Sequence, residues 1–129
     1  MLRTVIPALA LAGAANVAAA QEVEQYDLQD ASVSVILHPF LTADEAAILR
    51  TVGQSPEALE LFVPETGRYA ALAVAPDEGF VRDGIPVESA VAIGDLPDLE
   101  EARAAALEGC NAVRNGGEEC AIVLEVTPQ

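Results

Sequence analysis

The sequence predicts a small α+β domain: a mostly antiparallel sheet, one long helix packed on it, one short helix and one disulfide. Three observations carry this. Apolar, β-branched or alternating runs at Val33–Leu37, Arg68–Ala75 and Cys120–Val126 read as strands. Between Asp98 and Val113, apolar side chains recur at helical spacing. The chain has 129 residues, which allows one domain.

Each element has its own signal. Gln21–Asp30 is acidic and polar, suiting a loose arm or an edge strand around Tyr26 and Leu28. Val33–Leu37 alternates, and His38-Pro39 ends it because proline donates no ladder hydrogen bond. Thr42-Ala43-Asp44-Glu45 is a capping box, so a short helix is expected over about 43–51. Ala46, Ile48, Leu49 and Val52 are available to its core face, and Gly53 can stop it. Ser55-Pro56-Glu57 starts a second helical turn. The alternation of Leu59–Val63 then suggests a strand ended by Pro64.

Arg68–Ala75 is apolar on both faces, as expected of a strand covered on both sides. Pro76–Gly79 and Asp83-Gly84 are turns, with Phe80–Arg82 a candidate strand between them. Val87–Ile93 alternates like a strand, although Glu88–Ala92 suits a helical turn equally. In the long helix, about 98–113, Asp98 can cap, and Glu101 completes a D-x-x-E box. Leu99, Ala102, Ala106, Cys110 and Val113 form its apolar stripe, widened by Leu107. Cys120, Ile122, Leu124 and Val126 alternate, which places them on one face of the last strand.

Composition narrows the chemistry. Six basic residues, all arginine, face 21 acids, for a formal charge of −15. Without lysine there is no Schiff base, pyridoxal phosphate anchor, Ser-Lys dyad or GK[ST] phosphate loop. The charge argues against nucleic acid and anionic lipid as partners. Met1–Ala20 carries Arg3, an apolar run and the small residues Ala18, Ala19 and Ala20, the pattern of a secretory signal cut before Gln21. The mature chain would then hold 109 residues and a charge of −16, with no stable membrane insertion after the cut. A periplasmic or secreted location favours bridging Cys110 to Cys120, the end of the long helix to the start of the last strand. Their C-x₉-C spacing is not that of a C-x-x-C redox or metal motif.

Tyr69–Ala73, Glu78-Gly79-Phe80, the Ala102-x₃-Ala106-Leu107-x₂-Cys110 helix and Cys120–Val123 together resemble small exported bacterial proteins of unknown function. In that pattern an alanine-rich strand and hairpin lead into a helix whose cysteine pairs with one on the next strand. Most of the chain is also similar to short exported proteins, some automatically named "5-aminolevulinate synthase". Neither group implies an established activity. The synthase chemistry needs a cofactor lysine, and this chain has none.

Candidate catalytic and metal groups are sparse. His38 is the sole histidine, at a strand end before proline, where a structural or surface role is expected. None of Ser32, Ser34, Ser55 and Ser89 stands in a G-x-S-x-G setting. Asp95, Asp98 and Glu101, with Glu100, form the densest acidic group and are weak metal candidates lacking an EF-hand spacing. Asp77-Glu78 and Glu118-Glu119 read as solvated loop acids. The absence of tryptophan and the few aromatics argue against a sugar platform for paired carboxylates. The expected function is a non-catalytic accessory or protein-binding module of the cell envelope. It would be monomeric and without cofactor, with a basic envelope protein as the expected partner. The alternative is a small periplasmic cation- or ligand-binding protein using acidic loops.

Overall fold

The computed structural model describes residues 22–62 and 68–129. The expected signal segment with Ala18, Ala20 and Gln21, and the expected strand end at Val63-Pro64, lie outside the described residues. In chain order the elements are β1 (Glu22–Asp27), β2 (Ala31–Leu37), α1 (Ala43–Gln54), α2 (Pro56–Phe62), β3 (Tyr69–Val74) and β4 (Val81–Arg82). They continue with β5 (Ile85–Pro86), β6 (Val91–Leu96), α3 (Leu99–Val113) and β7 (Ala121–Pro128). Five strands form an antiparallel sheet in the order β1-β2-β7-β3-β6, and β4-β5 is a separate hairpin. The fold is α+β, as the patterning predicts.

Two cores lie on opposite faces of this sheet. On one face, Val33, Val35, Ala70, Leu72 and Val74 pack with Leu49 and Val52 of α1, Leu59 of α2 and Phe80. On the other, Ala71, Ala73 and Ala75 meet Ala102, Ala106 and Cys110 of α3. The alanines of β3 explain this second layer. Facing methyl groups let a helix backbone come close to the sheet, and close packing is where dispersion accumulates.

The central strand β7 departs from the expected alternation. Leu72 pairs with Leu124, but the next residue, Ala73, pairs with Ile122, so Val123 is an extra residue in β7. This bulge puts Val123, Leu124 and Val126 in the α1/α2 core and sends Ile122 and Cys120 to the α3 core. The four alternating residues therefore do not share a face. A second extra residue occurs in β6, between the Tyr69–Leu96 and Ala71–Ile93 pairs, where Asp95 adopts φ 62°.

Local chemistry explains most boundaries. The α1 capping box forms in both directions: Thr42 Oγ1 accepts from the Glu45 N–H, and Glu45 Oε1 accepts from the Thr42 N–H. Gly53 does not stop α1, which runs on to Gln54. The glycine is buried, and a Cβ there would stand 2.9 Å from Val35 Cγ2 and 3.0 Å from Tyr26 Cδ2. It lets the helix pass over β1 and β2. Leu59–Phe62 continue α2 as helix and not as strand, because Ser55 caps it: its carbonyl accepts from Leu59 N–H and its Oγ from Ala58 N–H. Asp83 and Gly84, both at positive φ, form the tight turn of the β4-β5 hairpin. A turn closed by Ala90 N–H to Val87 O delays β6 until Val91. Asp98 caps α3 by accepting from Glu101 N–H, in one direction only, and Val113 is half exposed instead of core.

Cys110 in the last turn of α3 is bonded to Cys120 just before β7, with Cα atoms 6.2 Å apart. Cys110→Ser should lower the stability of the oxidised protein by about 2–3 kcal/mol, the loop-closure value for a bridge this short. Thermal melts with and without reductant check this; a wild-type melt unchanged by reduction of the bond would contradict it. Gly53→Ala should be destabilising despite gaining about 1 kcal/mol of helix propensity, because overpacking Val35 and Tyr26 costs about 1–3 kcal/mol. A melting temperature equal to or above wild type would contradict the close-approach role.

Candidate functional site

The loops joining these layers are held by carboxylates. Glu45, 7 % exposed, is the buried acid that links α1 to the segment after β3. Its Oε2 accepts from Phe80 N–H at 2.7 Å and Val81 N–H at 3.3 Å, while Oε1 accepts from Thr42 N–H at 3.0 Å. Gly79, at φ 80°, lies so close that a Cβ would stand 2.8 Å from Glu45 Oε2. Burial pushes the Glu45 carboxyl up, but the N–H donors of Phe80, Thr42 and Val81 outweigh it and hold the pKa below its ordinary value.

Asp77 and Glu78 dock the disulfide loop and are not merely solvated. Asp77 Oδ2 accepts from Glu118 N–H at 2.8 Å, and Glu78 Oε2 from Asn115 N–H at 2.6 Å. A Cβ at Gly117 would overlap the Asp77 carboxylate, so this contact requires glycine. The Asn115 N–H lowers the Glu78 pKa. Ser89, 1 % exposed, stands beside that carboxylate and adds to the lowering, although its hydroxyl reaches no partner in hydrogen-bond geometry. Arg114 closes the loop by donating to Asn111 Oδ1 and Gly117 O, and Asn111 Oδ1 also accepts from Cys120 N–H.

Beside the Glu45 anchor runs a groove of about 500 Å³ between α1 and the β4-β5 hairpin. Ala47, Ile48 and Val81 form its apolar lining, and Asp44, Asp83 and Gly84 stand along it. Both Glu45 oxygens are occupied by backbone donors, whereas neither Asp44 nor Asp83 has a side-chain partner among the described residues.

The sequence-predicted candidates are dispersed. His38 caps the β2 end: its Nε2 lies 2.7 Å from Ile122 O and its ring stacks on Phe40 at 5.1 Å. Since a carbonyl only accepts, Nε2 carries the proton and donates. Asp95 sits at the β6 bulge, 3.5 Å from Arg68, and Asp98 is engaged as a helix cap. Glu101 is exposed in the first turn of α3. Among the described residues, no three His, Cys, Asp or Glu side chains converge as metal ligands would. The sequence signals missed Glu45, Asp77 and Glu78 as loop anchors. Glu45 was legible only as a capping-box acid, and its other contacts span 35 residues and more.

Glu45→Gln replaces one accepting oxygen by a donor that faces backbone N–H groups, and should cost about 1–3 kcal/mol at neutral pH. Because the folded-state pKa is depressed, the carboxylate's contribution is complete above the unfolded value near 4.5 and disappears as pH falls through the folded value. The gap in melting temperature between wild type and Glu45→Gln should therefore narrow on acidification below about pH 4.5. A gap constant down to about pH 3 would contradict the anchor. Comparison of the chain with family models, curated proteins and solved structures returned no match.

Proposed function

We propose that the protein is an exported, non-catalytic module of the cell envelope that works by binding a basic protein partner. One observation carries the reading. Each of the five arginines from Arg50 onward is engaged by its own chain: Arg50 with Glu24, Arg68 with Asp95, Arg82 with Glu78 O, Arg103 with Glu125 and Arg114 with Gly117 O. The cations are committed internally, while Glu22, Asp44, Asp83, Glu100, Glu108 and Glu119 have no side-chain partner among the described residues. The outward field is therefore acidic, which steers and orients basic surfaces.

Export is supported by the Cys110–Cys120 bond, which suits an oxidising compartment, and by the signal-like composition of the first twenty residues. Among the described residues no helix is long and apolar enough to cross a membrane. The likeness to small exported proteins of unknown function agrees with this reading. An aminolevulinate synthase activity is disfavoured by the missing lysine.

Native mass spectrometry of the protein from its own cell envelope tests the proposal. The expected species is the oxidised 109-residue chain, isolated with a basic protein at low salt and separated from it as ionic strength approaches 1 M, where the screening length falls to about 3 Å. A reduced, uncut chain would overturn export, and a complex indifferent to salt would overturn the electrostatic mode of binding.

A further inference from the structure

We infer that the groove between α1 and the β4-β5 hairpin receives a lysine or arginine side chain from a basic partner segment. This rests on the proposed binding function and assigns it a place. The lining fits such a side chain in both its parts. Ala47, Ile48 and Val81 offer an apolar surface for an aliphatic stem, and Asp44 and Asp83 offer carboxylates for a cationic head. Long basic side chains bury their methylenes along apolar surface in this way while the charge stays wet.

Three features leave the acids available. Glu45, the third acid of the groove, is occupied by the N–H groups of Thr42, Phe80 and Val81. Arg82, the nearest arginine in sequence to Asp83, instead donates to Glu78 O, on the chain before the hairpin. Asp44 and Asp83 belong to different elements, the first turn of α1 and the hairpin turn, and these elements are fixed to one another by the Glu45 bonds to Phe80 and Val81. The backbone positions that carry the two carboxylates are thus fixed before binding. A second copy of this chain makes a poor occupant, because it brings the same acidic surface and internally engaged arginines.

The test uses hexalysine as probe and the oxidised protein purified from its own cells, with affinity read by calorimetry at low salt. Asp44→Asn/Asp83→Asn removes the two groove charges. The change is mild for the fold, since Asp44 is exposed and asparagine tolerates the positive φ of residue 83. Glu118→Gln/Glu119→Gln removes the same charge from the disulfide loop and serves as control. The groove variant should bind about tenfold more weakly, corresponding to about 1.4 kcal/mol, with an unchanged melting temperature, and the control should bind nearly as wild type does. Equal weakening in both variants would overturn the groove while leaving the basic-partner reading intact. A wild-type protein that does not bind hexalysine would overturn both.

Discussion

The bulge at Val123 is the constraint on which the rest of the structure depends. β7 is the middle strand of five, so its side chains must serve two cores. Under strict alternation, Cys120 would share a face with Leu124 and Val126 and point toward α1 and α2. Cys110 lies on α3, across the sheet. One extra residue reverses the parity, leaving Leu124 and Val126 in one core and bringing Ile122 and Cys120 into the other. The disulfide then joins helix to strand on the same side of the sheet. A one-residue deletion at this point would exchange faces along half of the strand, so the bulge and the bridge imply one another.

The two cores are built differently, and composition explains why. The chain has no tryptophan and three phenylalanines. The larger side chains, Phe80, Leu49, Leu59, Leu72 and Leu124, are concentrated under α1 and α2. Opposite, alanines of β3 meet alanines of α3, a contact that buries little area per residue. The disulfide lies in the weaker of the two layers, where a covalent link adds most in proportion. The Arg103–Glu125 pair at 2.5 Å reinforces the same layer from β7, but it is partly exposed and its net value is small.

Much of this was legible because it is local. Thr42 and Glu45 lie three residues apart, so their box is visible in the sequence, as are the Asp98 cap, the alternation of β2 and the Asp83-Gly84 turn. What was not legible depends on distant neighbours. Gly53 resembles a helix stop until Tyr26 and Val35 are seen crowding it. Leu59–Phe62 alternates like a strand, yet the Ser55 cap and the packing of Leu59 make it helix. Asp77 and Glu78 resemble ordinary turn acids, and their partners stand 41 and 37 residues away. Val123 has no residue type that marks a bulge; only the register of β3 against β7 reveals it.

The candidate site follows from the same division between local and distant. Nothing in Asp44 or Asp83 distinguishes them from the other acids of the sequence. They become a pair because one buried carboxylate, Glu45, binds the backbone on the hairpin side of the groove while capping the helix on the other. A carboxylate is suited to this because it accepts several N–H bonds without needing a cation, and this chain has few cations to give. Glu45, Asp77 and Glu78 satisfy backbone donors and need no cation, so Arg50, Arg68 and Arg103 are left to pair with other acids. The remaining acids keep their charge outward. The economy of positive charge that organises the loops thereby also produces the acidic surface, and the groove is where that surface gains an apolar floor and a fixed geometry.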